Sequence, residues 1–130
     1  MHGTLLLDSE GLSRLHREDR TVLTLVQAAA EEGVRVATTV TTRVEADHDR
    51  VHPARIRWVL SRIDVHPVTR AVSDEAARLL REHRLHGHKH AIDATLAAVA
   101  LSARAPVTVL TSDPEDLTLL CGPSVAIVKI

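Results

Sequence analysis

Residues 90–117 read HAIDATLAAVALSARAPVTVLTSDPEDL, and the fold depends on the pattern in this stretch. Its alanine-rich first half predicts a helix over residues 91–103, with the acidic residue Asp93 at the helix start. The β-branched run at 107–111 predicts a strand, which leads directly into a second acidic turn at Asp113. Since the carboxyl ends of parallel strands form ligand-binding edges, the stretch indicates half of an acidic active site.

The rest of the chain continues this alternation of strands and helices. Apolar and β-branched segments predict strands at 4–7, 34–39, 65–68, 107–111 and 125–130. Helical periodicity and capping residues predict helices that start at residues 9 and 42 and helices over 18–32, 53–62, 71–84, 91–103 and 114–120. The order predicts a single α/β domain over residues 1–130, a three-layer α/β/α sandwich with a central, mostly parallel sheet of four to five strands.

Composition narrows the possible functions. The chain has 130 residues and a net charge of −1, so the chain as a whole carries no excess of positive charge. Trp58 is the only aromatic residue, which argues against a base-stacking platform. Cys121 is the only cysteine, so neither an intramolecular disulfide nor a cysteine zinc cluster can form, and a cytoplasmic location is expected. No apolar run is long enough for a signal peptide core or a membrane span.

Four acidic residues fall at the predicted carboxyl edge: Asp8, Glu45, Asp93 and Asp113. Each also has a purely structural explanation, because Asp8 and Asp113 can cap helices, Glu45 fits a capping box with Thr42, and Asp93 can complement a helix dipole. Carboxylates that converge on one edge repel each other unless a cation neutralises them. Carboxylate oxygens suit Mg²⁺ or Mn²⁺, and such a site can activate water for phosphodiester hydrolysis.

Four segments carry a resemblance to a known family: LLLDS at 5–9, TTRVE at 41–45, IDATLAAVA at 92–100 and LTSDPEDL at 110–117. With them the chain resembles the PIN-domain ribonucleases, and most closely the VapC toxins of bacterial toxin–antitoxin pairs. The resemblance covers essentially the whole chain. It implies that the metal-binding and catalytic acids are Asp8, Glu45, Asp93 and Asp113. It also implies that Asp116 is an auxiliary acid and that Thr111 or Ser112 places a hydroxyl near the site.

The same resemblance implies a function. The expected activity is Mg²⁺- or Mn²⁺-dependent endoribonucleolytic cleavage of RNA, leaving 5′-phosphate and 3′-hydroxyl ends. The expected assembly is a homodimer that a small cognate antitoxin inhibits by occupying the acidic groove. Glu10 departs from the family, which usually has a small polar residue there, and it adds negative charge beside Asp8. The alternatives are a non-catalytic PIN module that binds RNA or a protein, and a PIN nuclease that processes RNA.

Basic side chains beside the acids are candidates for RNA contacts. Arg43 and Arg50 belong to an arginine cluster in the middle helices, which can equally be a solvated face. His88 and His90 lie in a predicted loop over residues 86–90 that leads to Asp93. A transition-metal site in this loop is the weaker hypothesis, because a loop gives the histidines no fixed common face.

Overall fold

The sheet consists of five parallel strands in a computed structural model that describes residues 2–130. The strands are β1 (Thr4–Leu7), β2 (Arg35–Thr39), β3 (Asp64–His66), β4 (Val107–Thr111) and β5 (Val125–Lys129). Their order across the sheet is β3-β2-β1-β4-β5, so β1 lies in the middle and pairs with both β2 and β4. The predicted parallel sheet is therefore confirmed, with β3 and β5 at its edges.

Seven α-helices cover the two faces of the sheet in the part of the chain described. They are α1 (Ser9–His16), α2 (Arg20–Glu31), α3 (Val40–Ala46), α4 (Pro53–Ser61), α5 (Arg70–Glu82), α6 (Gly87–Ser102) and α7 (Pro114–Cys121). Alternate side chains of β1 enter different cores, as the period of a strand requires. Leu6 packs with residues of α5, α6 and α7, whereas Leu5 and Leu7 pack with residues of α1, α2 and α4. The α/β/α sandwich predicted from the sequence is confirmed.

The topology places a crevice between β1 and β4. α1, which follows β1, packs on one face of the sheet, whereas α7, which follows β4, packs on the other. Ligand sites of open α/β sheets form where the chain departs to opposite faces in this way. Asp8 lies immediately after β1, and Asp113 lies two residues after the end of β4. None of the helices described between residues 2 and 130 has the length and hydropathy to cross a membrane.

The structure corrects the predicted histidine loop. α6 begins at Gly87 and not at residue 91, so the segment predicted as a loop over 86–90 forms the first turn of the helix. The backbone N–H of His90 donates to the carbonyl of His86 over 2.9 Å, which closes that turn. α5 ends at Glu82, and Arg84 in the turn that follows adopts a positive φ of 56°, a conformation that glycine most often supplies after a helix.

The start of α3 is corrected as well. Thr39 is the N-cap, and its Oγ1 accepts a hydrogen bond of 3.1 Å from the backbone N–H of Thr42. β2 therefore passes directly into the helix, and the predicted capping box of Thr42 with Glu45 does not form. As a consequence the Glu45 carboxylate, on the last turn of α3, is available for other contacts.

Trp58, the only aromatic residue of the chain, lies at the surface of the protein. Its side chain is 51% exposed on α4. The guanidinium groups of Arg55 and Arg62 lie 5.1 and 5.2 Å from the centre of its ring. Both distances are within the range of cation–π attraction, which fixes the indole on the surface of α4.

Candidate metal site at the carboxyl edge

Asp8 combines a structural role with a place in the site. Its Oδ1 accepts a hydrogen bond of 2.7 Å from the backbone N–H of Gly11, so it caps α1. Burial raises the pKa of the Asp8 carboxyl above its ordinary value, and a hydrogen bond with the side chain of Thr111 opposes the shift. Thr111 is only 1% exposed, so this hydroxyl is held beside Asp8 inside the crevice.

Gly11 lets the first turn of α1 approach β4. A Cβ at this position would lie 3.3 Å from the carbonyl oxygen of Leu110 and 3.4 Å from Oδ1 of Asp8. The first distance is tighter than most contacts and the second is at the limit of an ordinary one, so a side chain here would force α1 and β4 apart by a few tenths of an ångström. Gly11 was not among the residues predicted for the site, although it is the only glycine within the first two helices.

Asp93 is the centre of the carboxylate group. It lies in the second turn of α6, which is deeper in the helix than the predicted start. Burial is the main cause that raises the pKa of Asp93 to about 6, and the charges of Asp8, Asp116 and Glu45 raise it further. His90 acts in the opposite direction, because a protonated imidazole would favour the charged carboxylate. Side chains from four segments thus meet around one carboxyl group.

His90 and Asp116 approach Asp93 most closely. One potential ligand atom from each of the three side chains lies within 4.8 Å of the other two. Nδ1 of His90 is 3.3 Å from Oδ2 of Asp116, and the His90 side chain is only 11% exposed. His90 and Asp93 are three residues apart on α6, a spacing that places two side chains on one helix face. The surface histidine expected from the sequence is therefore part of the acidic group.

Glu45 reaches the site from α3 and is exposed. The hydroxyl of Ser9 donates a hydrogen bond to its carboxylate, which connects α3 to the first turn of α1. A second contact connects α3 to α6, because the hydroxyl oxygens of Thr41 and Thr95 are 3.4 Å apart. These contacts explain how three separate helices hold their acids at one edge.

Asp113 has a different environment. Its side chain is exposed and makes no capping hydrogen bond, although the residue occupies the N-cap position of α7. Its backbone N–H donates to Oγ1 of Thr111 over 3.0 Å, and Ser112 between them is half-buried. The main charges that raise the pKa of Asp93 are those of Asp8, Asp116 and Glu45, and Asp113 is not among them. The charges of Asp8, Glu45 and Asp116 thus act on Asp93, whereas the Asp113 side chain is exposed to solvent after β4.

The candidate RNA-contact residues separate into two groups. Arg43, Arg50 and His88 are exposed, as RNA contacts require, whereas His90 turns inward. Arg43 and Arg50 line adjoining surface grooves that share His48 and Asp49. The grooves are therefore mixed in charge.

Glu10 does not add an unpaired charge to the site. Its Oε1 accepts hydrogen bonds from Arg14 over 3.0 Å and from Arg17 over 3.1 Å. It still raises the pKa of Asp8, but burial of Asp8 is the larger cause. The departure from the family pattern is therefore compensated within α1.

The donor set fits a divalent cation. Carboxylate oxygens and an imidazole nitrogen are common ligands of first-row divalent ions and, for the carboxylates, of Mg²⁺. Mutual repulsion of the acids leaves negative charge that only a cation or a proton can neutralise, as the raised pKa of Asp93 indicates.

The fold and this edge define a PIN-like α/β/α domain with an acidic crevice. The chain is similar in structure to a chain of VapBC2 from Rickettsia felis, a complex determined bound to a DNA fragment from its promoter; the TM-score is 0.70, and the match covers 98% of both chains at 11% sequence identity. No protein-family model matches the chain, and no curated protein matches its sequence. The likeness confirms the predicted α/β/α fold.

Proposed function

We propose that the protein is a metal-dependent endoribonuclease that hydrolyses RNA phosphodiester bonds. The observation that carries the proposal is the group of acids around Asp93: burial first, and then the charges of these acids, raise the pKa of that carboxyl to about 6. A protein that needed these acids only as helix caps would have no reason to bring them together. A divalent cation at their centre would remove the repulsion.

Asp8, Glu45, Asp93 and Asp116 would hold Mg²⁺ or Mn²⁺, with Asp113 a further candidate at the margin. The cation, when bound, supplies charge neutralisation at the phosphate and lowers the pKa of water, as in other phosphodiester hydrolases. The chain's own contribution is to fix the acids. Gly11 and Thr111 orient the carboxylate of Asp8. The proposed products carry 5′-phosphate and 3′-hydroxyl ends.

RNA would approach across the exposed side of the crevice. Arg43 on α3 and Arg50 in the following loop are exposed, as is His88 at the start of α6. Arginine side chains in such positions can contact phosphate oxygens without reading the base sequence. We therefore propose these side chains as backbone contacts that position the scissile phosphate at the acids.

The biological role that we propose is that of a VapC-type toxin acting in the cytoplasm. Its support is the fold likeness to VapBC2 over nearly the entire chain. A small cognate antitoxin would inhibit the enzyme by covering the acidic crevice, and the active form would be a homodimer. A small upstream reading frame that encodes a DNA-binding protein would support the toxin over an RNA-processing nuclease. Sedimentation of the purified protein would test the dimer.

Cleavage of a labelled single-stranded RNA tests the activity. We expect cleavage with MgCl₂ or MnCl₂, none with EDTA, and none by the Asp8→Asn, Asp93→Asn double variant. Asparagine retains the capping oxygen at position 8, so the variant should fold, which circular dichroism checks. A folded double variant that cleaved RNA and arrested growth like the natural protein would overturn the mechanism. An inactive natural protein that still bound RNA would favour the non-catalytic PIN module.

A further inference from the structure

His90 lies beside Asp93 and Asp116, although it was predicted from the sequence as an RNA contact. It belongs to the first turn of α6, one turn before the fully buried Ala94. Residues four apart lie on the same helix face, so the imidazole is directed towards the body of the protein. Its neighbour His88 is exposed on the same turn. The two histidines therefore have different environments although only one residue separates them.

The imidazole, Asp93 and Asp116 are close enough to share one ion. Ligand atoms on opposite sides of a metal, each about 2.0–2.2 Å from it, are at most about 4.4 Å apart. The potential ligand atoms of the three side chains lie within 4.8 Å of each other. A movement of one side chain by a few tenths of an ångström is enough to bring the most widely separated pair within this limit. The ligands come from two helices, α6 and α7, which pack against each other in one core.

We propose that His90 is a direct ligand of the divalent cation at this site, with Asp93 and Asp116, and that it directs the site towards Mn²⁺ and Co²⁺ rather than Mg²⁺. Imidazole nitrogen binds first-row transition ions well, whereas Mg²⁺ prefers oxygen ligands and keeps its waters. The proposal rests on the metal site of the proposed function, but it does not depend on RNA cleavage. It assigns to His90 a role that differs from the RNA contact predicted from the sequence.

The competing explanation is that His90 only positions Asp116. The separation of 3.3 Å between Nδ1 and Oδ2 is compatible with such a contact. A positioning residue affects every ion that Asp116 binds, and loss of such a partner typically weakens metal affinity by about 10–100-fold. A direct nitrogen ligand has a different signature, because its loss weakens transition ions selectively and removes nitrogen from the coordination shell.

Metal titration of the full-length protein distinguishes the two explanations. We would compare the natural protein with His90→Asn and with His88→Asn, the matched control on the same turn, by calorimetry with MgCl₂, MnCl₂ and CoCl₂. For His90→Asn we expect affinity for Mn²⁺ and Co²⁺ to fall by about tenfold or more, and affinity for Mg²⁺ to change by less than about threefold. His88→Asn should bind all three ions as the natural protein does. An equal loss for all ions in His90→Asn would overturn direct ligation.

Pulsed electron paramagnetic resonance of the Mn²⁺-loaded natural protein tests the ligand without relying on a variant. We expect coupling to a ¹⁴N nucleus that persists in His88→Asn and is absent in His90→Asn. Absence of nitrogen coupling in the natural protein would overturn the proposal. The outcomes also separate it from the proposed function. Nitrogen coupling without RNA cleavage would refute only the nuclease, whereas cleavage without nitrogen coupling would refute only the ligand.

Discussion

The second turn of α6 and the N-cap of α7 each carry an acid near the carboxyl end of β4, yet their environments differ. Asp93 on α6 is half-buried and lies among other charged side chains. Asp113, next to β4 in sequence, is exposed and is not among the three residues whose potential ligand atoms lie together. Proximity to a strand end is therefore insufficient to place an acid in the crevice.

The direction in which each helix faces accounts for the difference. On α7 the acid that meets Asp93 is Asp116, which lies one turn before the buried Leu120. Leu120 packs in the same core as α6, so this face of α7 points towards His90 and Asp93. Asp113 precedes the helix, and its backbone is held by Thr111 instead.

The largest predicted effect is on the rate of RNA cleavage when the charge of Asp93 or of Asp113 is removed in separate variants. Asp93→Asn should lower the rate of RNA cleavage by about 10³-fold, since it removes the central ligand of the proposed cation. Asp113→Asn should lower the rate by about tenfold or less, because the side chain is exposed at the margin of the site. Single-turnover cleavage with saturating MnCl₂ measures both.

Asp116→Asn provides the internal reference for this comparison. If Asp116 takes the place predicted for Asp113, the cleavage rate of Asp116→Asn should be closer to that of Asp93→Asn than to that of Asp113→Asn. Equal and large losses for Asp113→Asn and Asp93→Asn would contradict the geometric distinction. They would favour the ligand set implied by the resemblance to PIN domains, in which Asp113 binds the metal.

Much of the fold could be predicted because its signals are local. Strands such as β1 and β4 are short apolar runs, and the alternation of these runs with amphipathic helices determines the class. The start of α6 could not be predicted in this way. Glycine often follows the end of a helix, so Gly87 favoured the predicted loop over residues 86–90, whereas the positive φ of 56° after α5 belongs to Arg84.

That error in one helix boundary also hid part of the site. With α6 beginning at Gly87, His90 and Asp93 share a helix face, and the i,i+3 spacing of a metal-binding pair becomes apparent. In α7, Asp116 lies four residues before the buried Leu120, and this spacing places Asp116 on the helix face that packs towards α6. The meeting of the two helices, however, depends on the packing of buried side chains over the sheet, which no local pattern specifies.

A smaller effect is predicted on the stability of the metal-free protein. The Asp93 carboxyl has a pKa of about 6 when folded and 3.8 in its ordinary state, so the folded protein binds more protons between these values. Stability from this group is complete below about pH 4 and is lost as the pH rises through about 6. Asp93→Asn should therefore be more stable than the natural protein at pH 7.5, by on the order of 1 kcal/mol after allowance for solvent screening.

Urea denaturation in EDTA at pH 4.5 and pH 7.5 measures this difference. The advantage of Asp93→Asn should be much smaller at the lower pH, where the natural carboxyl is mostly protonated in the folded state. Asp113→Asn is the matched control, and its free energy of unfolding should differ by less than about 0.5 kcal/mol at either pH. A stability gain of Asp93→Asn that is independent of pH would show that charge repulsion is not its cause.

The smallest effect concerns the acid next to Asp8 in α1. Glu10 is paired with Arg14 and Arg17, and these two positive charges weaken the repulsion between Glu10 and Asp8. We expect Glu10→Gln to change the cleavage rate by less than about threefold, because exposed ion pairs contribute less than about 1 kcal/mol. The rate should also respond to salt in the same way as that of the natural protein. An increase of tenfold or more would mean that Glu10 restrains the activity by adding its charge to that of Asp8, despite the two arginines.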